Sequence, residues 1–441
     1  MNVGTEKITA APSAPRPDAA TAPTPAPAPA KPARSTAAAV RFEELEAYRG
    51  FAALLIVIFH TYQYSREATR AETYVYEGTP LHFVFHNLDA PVAWFFALSG
   101  FLLFLPFAQA ALDQSGKRSA RGFLVRRAVR VIPAYYAAIL IVWAIGYSDF
   151  RDLIEHLTFT QVFDQQRFFS LIGPAWSLAV EVQFYLLLPF LAMFIYALCS
   201  RVPTRNGRLA LMAAIIVGII ALGTGYKMWA FSVAQIPLDV WPVYFGLLSK
   251  LDTFALGMLL ALISVARAGS EPLVGRLGAI ALVAGAIALT GVAFQWRLTS
   301  KQGEVHFMTL VALAFVLLLA ATVLGRRGSR WERILTWRPL QFLGIISYSI
   351  YLWHETIMQH LGAAGFLIDP EPSSFPRNAV VLIMLSIAAG AASYWLLEVP
   401  TMQLGHLFDR EGRLAPRYTE LKIAQPSGAP DEQSQPSSAP R

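Results

Sequence analysis

The chain has 441 residues, of which 55% are hydrophobic and only 15% charged. Soluble domains carry about a quarter charged residues, so this balance excludes an ordinary water-soluble globule. A formal charge of +7 raises the question of a nucleic-acid partner. The basic residues lie in short connections between apolar runs, however, so none is expected.

Residues 1–40 are Ala/Pro-rich, with TAPTPAPAPAKPA at Thr21–Ala33. Such a segment favours polyproline or disordered conformations and reads as a cytoplasmic tail. It has no central apolar stretch, so no cleaved signal is expected and the first span should stay as an anchor. Spans of roughly 18 residues or more, the length that crosses about 30 Å of hydrocarbon, follow at about 45–65, 92–111, 131–148, 174–199, 208–228, 242–265, 276–296, 305–325, 341–363 and 378–399. The expected fold is an all-α integral membrane protein, a bundle of about ten transmembrane helices occupying residues 41–402. A second disordered cytoplasmic tail is expected over 414–441, with QPSGAPDEQSQPSSAPR at its end.

The first span, EAYRGFAALLIVIFHTYQY, carries Arg49 at one end and His60 eleven residues later. Eleven steps are about three turns and roughly 16 Å of rise, so the two share a helix face. An arginine at the inner edge is suited to a phosphate-bearing donor, and a deeper histidine to an acceptor. The alternative is a snorkelling arginine and a core histidine bonded to another helix. The second span contains FFALSGFLLFLP, where Ser99 and Gly100 read as permitting close helix approach.

RGFLVRRAVRVIPAYY leads into the third span. Arg127 and Arg130 are about one turn apart and suit the phosphates of an anionic donor, or are simply positive-inside charge, as Arg126 is read to be. The fourth span opens as GPAWSLAVEVQFYLLLPFL. Glu181 lies about two turns inside it, after Trp176 and Ser177. A carboxyl there needs a proton or a partner; His60 is one candidate and charge balance with a structural arginine the other. Cys199, the single cysteine, excludes a disulfide framework and reads as packing.

In the sixth span, SKLDTFALGM suggests a local pair of Lys250 with Asp252. The ninth span holds GIISYSIYLWHETI, placing Ser347, Tyr351 and His354 at i, i+4 and i+7 on one face. They suit either a substrate pocket or an ordinary polar seam between helices. Glu398, near the end of the tenth span, reads as solvated. No metal site is expected, because the histidines lack ligand spacing and HExxH is absent.

Charge alternates between connections. Lys117, Arg118 and Arg121 follow span two, Arg201, Arg205 and Arg208 span four, Arg267 and Arg276 span six, and Arg326, Arg330, Arg333 and Arg338 span eight. The intervening connections are mixed or acidic, as with Asp149, Asp152, Glu155 and Asp164. Both termini are therefore expected in the cytoplasm, with the protein in the cell (inner) membrane.

Taken in order, Arg49-x10-His60, FFALSGFLL, RRAVRVIPAYY, PAWSLAVEVQFYLLLP, SKLDTFALGM, GIISYSIYLWH and YWLLEVP resemble the acyltransferase-3 family of multi-pass membrane O-acyltransferases over about residues 41–400. The resemblance implies that His60 matches the family's essential histidine and Arg49 its paired arginine. It implies that Arg127 and Arg130 match an RxxR-type pair serving the acyl donor. Glu181, with Trp176 and Ser177, matches WSLxxExxFY, and Ser347, Tyr348 and His354 match SYxxYLxH, with Tyr351 inside it. Some members carry a C-terminal hydrolase-like domain, and this chain resembles the stand-alone branch.

The function expected is transfer of an acyl group, acetyl above all, from acyl-CoA to a hydroxyl of a carbohydrate or glycosylated acceptor. His60 is the expected general base and Glu181 its orienting carboxylate. Arg49, Arg127 and Arg130 would hold the donor, while Trp176, Ser177, Ser347, Tyr348, Tyr351 and His354 would line the substrate pocket. No permanently bound cofactor is expected, and acyl-CoA enters as a substrate. The rival reading is a transporter using intramembrane His, Glu and Arg; no internal repeat of the kind transporters show is visible. The acceptor, acyl length, side of acceptor entry and oligomeric state stay open.

Overall fold

The computed structural model describes residues 1–2, 38–40, 44–67, 73–146, 149–268, 271–326, 328–367, 373–407 and 421–423. Both expected tails otherwise lie outside these residues. A short antiparallel pair joins β1 (Ala38–Val40) to β2 (Leu421–Ile423). It puts the chain before the first span and after the last on one side, as an even number of crossings requires.

Everything between is helical. The helices are α1 (Glu44–Glu67), α2 (Pro80–Phe85), α3 (Pro91–Asp113), α4 (Ala120–Gly146), α5 (Phe150–Leu157), α6 (Ala175–Cys199), α7 (Arg205–Met228), α8 (Trp241–Tyr244) and α9 (Leu247–Ala266). Then come α10 (Arg276–Thr299), α11 (Lys301–Val323), α12 (Arg330–Leu335), α13 (Arg338–Ile345), α14 (Ser347–Ala363), α15 (Phe375–Ser393) and α16 (Val399–Leu407). Two π-helical turns, Trp229–Val233 and Tyr394–Glu398, extend α7 and join α15 to α16.

Among the described residues, eight helical stretches are long and apolar enough to cross a membrane: α3, α4, α6, α7, α8 with α9, α10, α11, and α15 with its extension. The other two expected spans are α1 and the pair α13–α14. The apolarity of α1 is diluted by its own polar side chains, Arg49 and His60 among them, and α13 and α14 are separate helices of 8 and 17 residues. The protein is an all-α, multi-pass membrane protein.

The third expected span begins earlier than its pattern suggested. α4 starts at Ala120, so Arg121, Arg126, Arg127 and Arg130 ride on its first turns rather than in a loop. The ninth is not one helix. It breaks at Ile346, whose φ of −90° and ψ of 2° end α13 and let α14 start afresh at Ser347.

α3 is the centre of the bundle: 72% of its apolar stretch is buried, against 17% for α7 and α10, which face lipid. Its closest neighbour is α9. A Cβ at Gly100 would strike the Phe254 carbonyl, and one at Gly257 the Ala97 carbonyl. Two glycines thus let the backbones touch where dispersion and packing, not the hydrophobic effect, drive association in lipid. α1 and α13 meet in the same way through Gly50 and Gly344. That contact sets Arg49 beside the start of α14.

Candidate active site

Consecutive spans alternate in direction, so the N-terminal ends of α1, α4 and α13 share one side with the C-terminal ends of α3, α6 and α16. Between α1, α3, α4, α6 and α14 lies a cavity of about 90 Å³. Eight of the eleven side chains singled out from the sequence line it: Arg49, Arg127, Arg130, Ser177, Glu181, Ser347, Tyr348 and Tyr351. Phe95, Phe96, Leu102 and Val131 supply apolar wall. The arginines gather toward one membrane side, and Ser177 and Glu181 toward the other.

At the arginine end, Arg49 forms a partly exposed ion pair with Glu46 at 3.4 Å. Arg130 lies 3.6 Å from the Glu398 carboxylate, with side chains 11% and 1% exposed. Glu398 also accepts a hydrogen bond of 2.6 Å from Ser349. The expectation of a solvated Glu398 is corrected: the π turn Tyr394–Glu398 rolls it inward, beneath the cavity wall. The Arg127 guanidinium stands 6.0 Å from the Phe123 ring centroid. The first turn of α14 faces the same space, and the partial positive charge of that helix end adds to the arginines. Tyr348 ties α14 to α4 by donating to the Val131 carbonyl at 2.8 Å.

At the other end, Tyr351 Oη and Ser177 Oγ are 2.8 Å apart, and both donate to the Pro174 carbonyl, at 3.2 and 3.1 Å. Glu181 accepts a short hydrogen bond from Ser99. Ser99, read from the sequence only as a packing residue, is thus also a cavity residue. Tyr185, four positions after Glu181 and therefore on the same helix face, lines the cavity too.

Three residues stand apart. Trp176 packs into an aromatic cluster with Phe245 at 4.3 Å and Phe96 at 6.1 Å between ring centroids, and is a core residue. His60 and His354 lie outside the cavity lining and face each other, ring centroids 5.0 Å apart. No hydrogen bond joins His60 to Glu181 among the described contacts; Glu181 accepts from Ser99, and the His60 ring neighbours that of His354. His60 is half-buried and also meets Phe59, at 5.2 Å.

Several polar residues outside this region pair with one another. Asp252 pairs with Lys227 of α7 at 2.5 Å, not with Lys250, and also accepts from Thr224 and Thr309. Lys250 stands over the Tyr244 and Phe245 rings, at 4.8 and 5.3 Å. Arg297 bridges Asp89 and Glu304, tying α10 and α11 to the start of α3. Cys199 is buried. Among the described residues, no group of three or more His, Cys, Asp or Glu is placed to hold a metal ion.

Comparison with known proteins points one way. The family model Acyl_transf_3, described as an acyltransferase domain, matches residues 42–397. An O-acetyltransferase, OatA of Staphylococcus aureus, is 28% identical over 239 residues, which is 52% of this chain and 36% of that protein. A peptidoglycan O-acetyltransferase, OatA of Listeria monocytogenes, is 26% identical over 337 residues, 71% of this chain and 51% of that protein. The chain spans between 36% and 51% of the length of these relatives. No solved structure matches it.

Proposed function

The chain belongs to the acyltransferase-3 family, and from that premise we propose that it is a membrane O-acyltransferase. It moves an acyl group from acyl-CoA to a hydroxyl of a carbohydrate or glycosylated acceptor. The names of the relatives support acetyl as the acyl group and a cell-wall glycan as the first acceptor class to test.

The observation that carries the reading is the cavity. It gathers Arg49, Arg127 and Arg130, contributed by two helices, around a space of about 90 Å³. Guanidinium groups bind phosphates in bidentate fashion. The space suits an acyl thioester but is well under the roughly 300 Å³ at which pockets begin to enclose drug-sized ligands. The donor's nucleotide therefore stays at the arginine mouth while the thioester enters. The Lys/Arg-rich connections favour the cytoplasm for that mouth.

In the reaction, His60 takes the proton of the acceptor hydroxyl as its oxygen forms a bond to the thioester carbonyl carbon. The C–S bond then breaks, and the thiolate recovers the proton from His60 to leave as CoA. Glu181, held by Ser99 inside the cavity, fits a substrate-facing carboxylate better than the third member of a triad.

The test is acyl-CoA turnover by the purified full chain in lipid nanodiscs, with glycan acceptors. CoA release should depend on His60 and Arg49, with His60→Ala costing on the order of 10²–10⁴-fold in kcat. Turnover that survives His60→Ala would overturn the assignment. Solute movement without any acyl transfer would favour the transporter instead.

A further inference from the structure

We propose that His354 is the positioning residue of His60: its Nε2 accepts a hydrogen bond from a ring N–H of His60 and so aims the other His60 nitrogen, as a bare lone pair, at the acceptor hydroxyl. This rests on the acyl-transfer reading and replaces the pocket role that the sequence suggested for His354.

Three observations carry it. His354 is 2% exposed whereas His60 is half-buried, so of the two rings His354 is the one shut away from a substrate. Its Nδ1 lies 2.8 Å from the Tyr351 carbonyl. A carbonyl only accepts, so Nδ1 carries the proton, and in the neutral ring Nε2 is left as an acceptor. That Nε2 is buried and has no hydrogen-bond partner. Buried polar atoms without partners are uncommon in folded proteins and ask for an explanation.

Beside it, ring to ring at 5.0 Å, stands His60. Two imidazoles sharing an N–H···N bond of about 2.9 Å have centroids roughly 5 Å apart, the separation found here, so the bond asks for a change of ring orientation rather than of distance. The support is rigid. Tyr351, whose carbonyl holds His354, has its hydroxyl held between Ser177 and the Pro174 carbonyl. The arrangement does for His60 what a carboxylate does for a triad histidine: it selects the tautomer and the ring orientation. The proton bookkeeping is unchanged. The hydroxyl proton goes to the free His60 nitrogen and then to the departing thiolate, while the proton shared with His354 stays where it is.

Two variants separate positioning from packing. His354→Gln can offer its amide oxygen near the Nε2 position, whereas His354→Phe fills the space and offers no acceptor. With the full chain in nanodiscs, acetyl-CoA as donor and a glycan acceptor, His354→Phe should lower kcat on the order of 10²-fold. The KM for acetyl-CoA should stay at the wild-type value, and His354→Gln should recover most of the loss. Equal loss in both variants, or a change in KM alone, overturns the proposal. A second measurement needs no substrate: nitrogen-15 shifts of the histidine rings, assigned with His60→Gln. The wild type should show a ring-to-ring hydrogen bond at His60 that disappears in His354→Phe. Its absence overturns the dyad whether or not acetyl-CoA is turned over. Its presence in a protein that turns over no acyl-CoA supports the dyad and overturns only the choice of donor.

Discussion

Arg49 and His60 sit eleven positions apart on one helix and meet different surroundings. Arg49 lines the cavity, and His60 lies beyond it beside His354. Their roles should therefore separate kinetically. Arg127→Ala and Arg130→Ala should raise the KM for acyl-CoA, by a factor that shrinks as salt screens the wild-type contact, while His60→Ala lowers kcat; titrating donor at two ionic strengths tests both. Arg130 has a second dependence, because Glu398 is its buried counter-charge. Glu398→Ala leaves that arginine uncompensated in a low-dielectric wall, so the apparent Tm in detergent should fall. Glu398→Gln keeps a bond to Ser349 and should fall less. Equal Tm values for the two variants would remove the ion pair from the argument. Sequence inspection missed this pair because the charges lie 268 positions apart by number. A carboxylate near a span end is indistinguishable, one residue at a time, from a solvated one.

At the scale of elements, the glycines of α3 and α9 fix α9 against α3, one wall of the cavity, and an ion pair fixes α7 against α9. Gly257→Leu should abolish monodisperse folded protein on size exclusion, since even a Cβ there meets the Ala97 carbonyl. Gly225→Leu, on the lipid-facing α7 with nothing within 4 Å of a Cβ, should not. Lys227→Met strands Asp252 in the bundle and should cost about 3–5 kcal/mol in denaturant titration, a loss that Lys227→Met with Asp252→Leu largely restores. The elements themselves were largely legible: all ten expected spans correspond to helices. The start of α4 and the break at Ile346 were not. Hydropathy registers apolar content, whereas the first turns of α4 are basic yet packed against α16 and the π turn before it, and Ile346 is an apolar residue within an apolar run.

At the scale of the molecule, β1 and β2 bring the flanks of the bundle to one side, and the expectation that this side is cytoplasmic rests on the loop charges. With Cys199→Ser as background, Gly116→Cys and Gln166→Cys should react with an impermeant thiol reagent from opposite faces of a sealed vesicle. Reaction of both from one face would break the alternation on which the cavity's orientation depends.

By itself, the sequence determined what local pattern and composition control: a membrane location, about ten spans, their alternation, and the polar residues too costly to bury without purpose. Ordered motifs extended this to the family. Tertiary structure alone decided which of those polar residues meet. It put Arg49, Arg127 and Arg130 around one space, gave Glu181 to Ser99 and His60 to His354, joined Lys227 to Asp252, and buried Glu398 against Arg130. The reason is physical. Helical periodicity tells which face a side chain occupies, but in lipid every outward face is apolar, so which faces meet is set by glycine contacts, π turns and helix breaks.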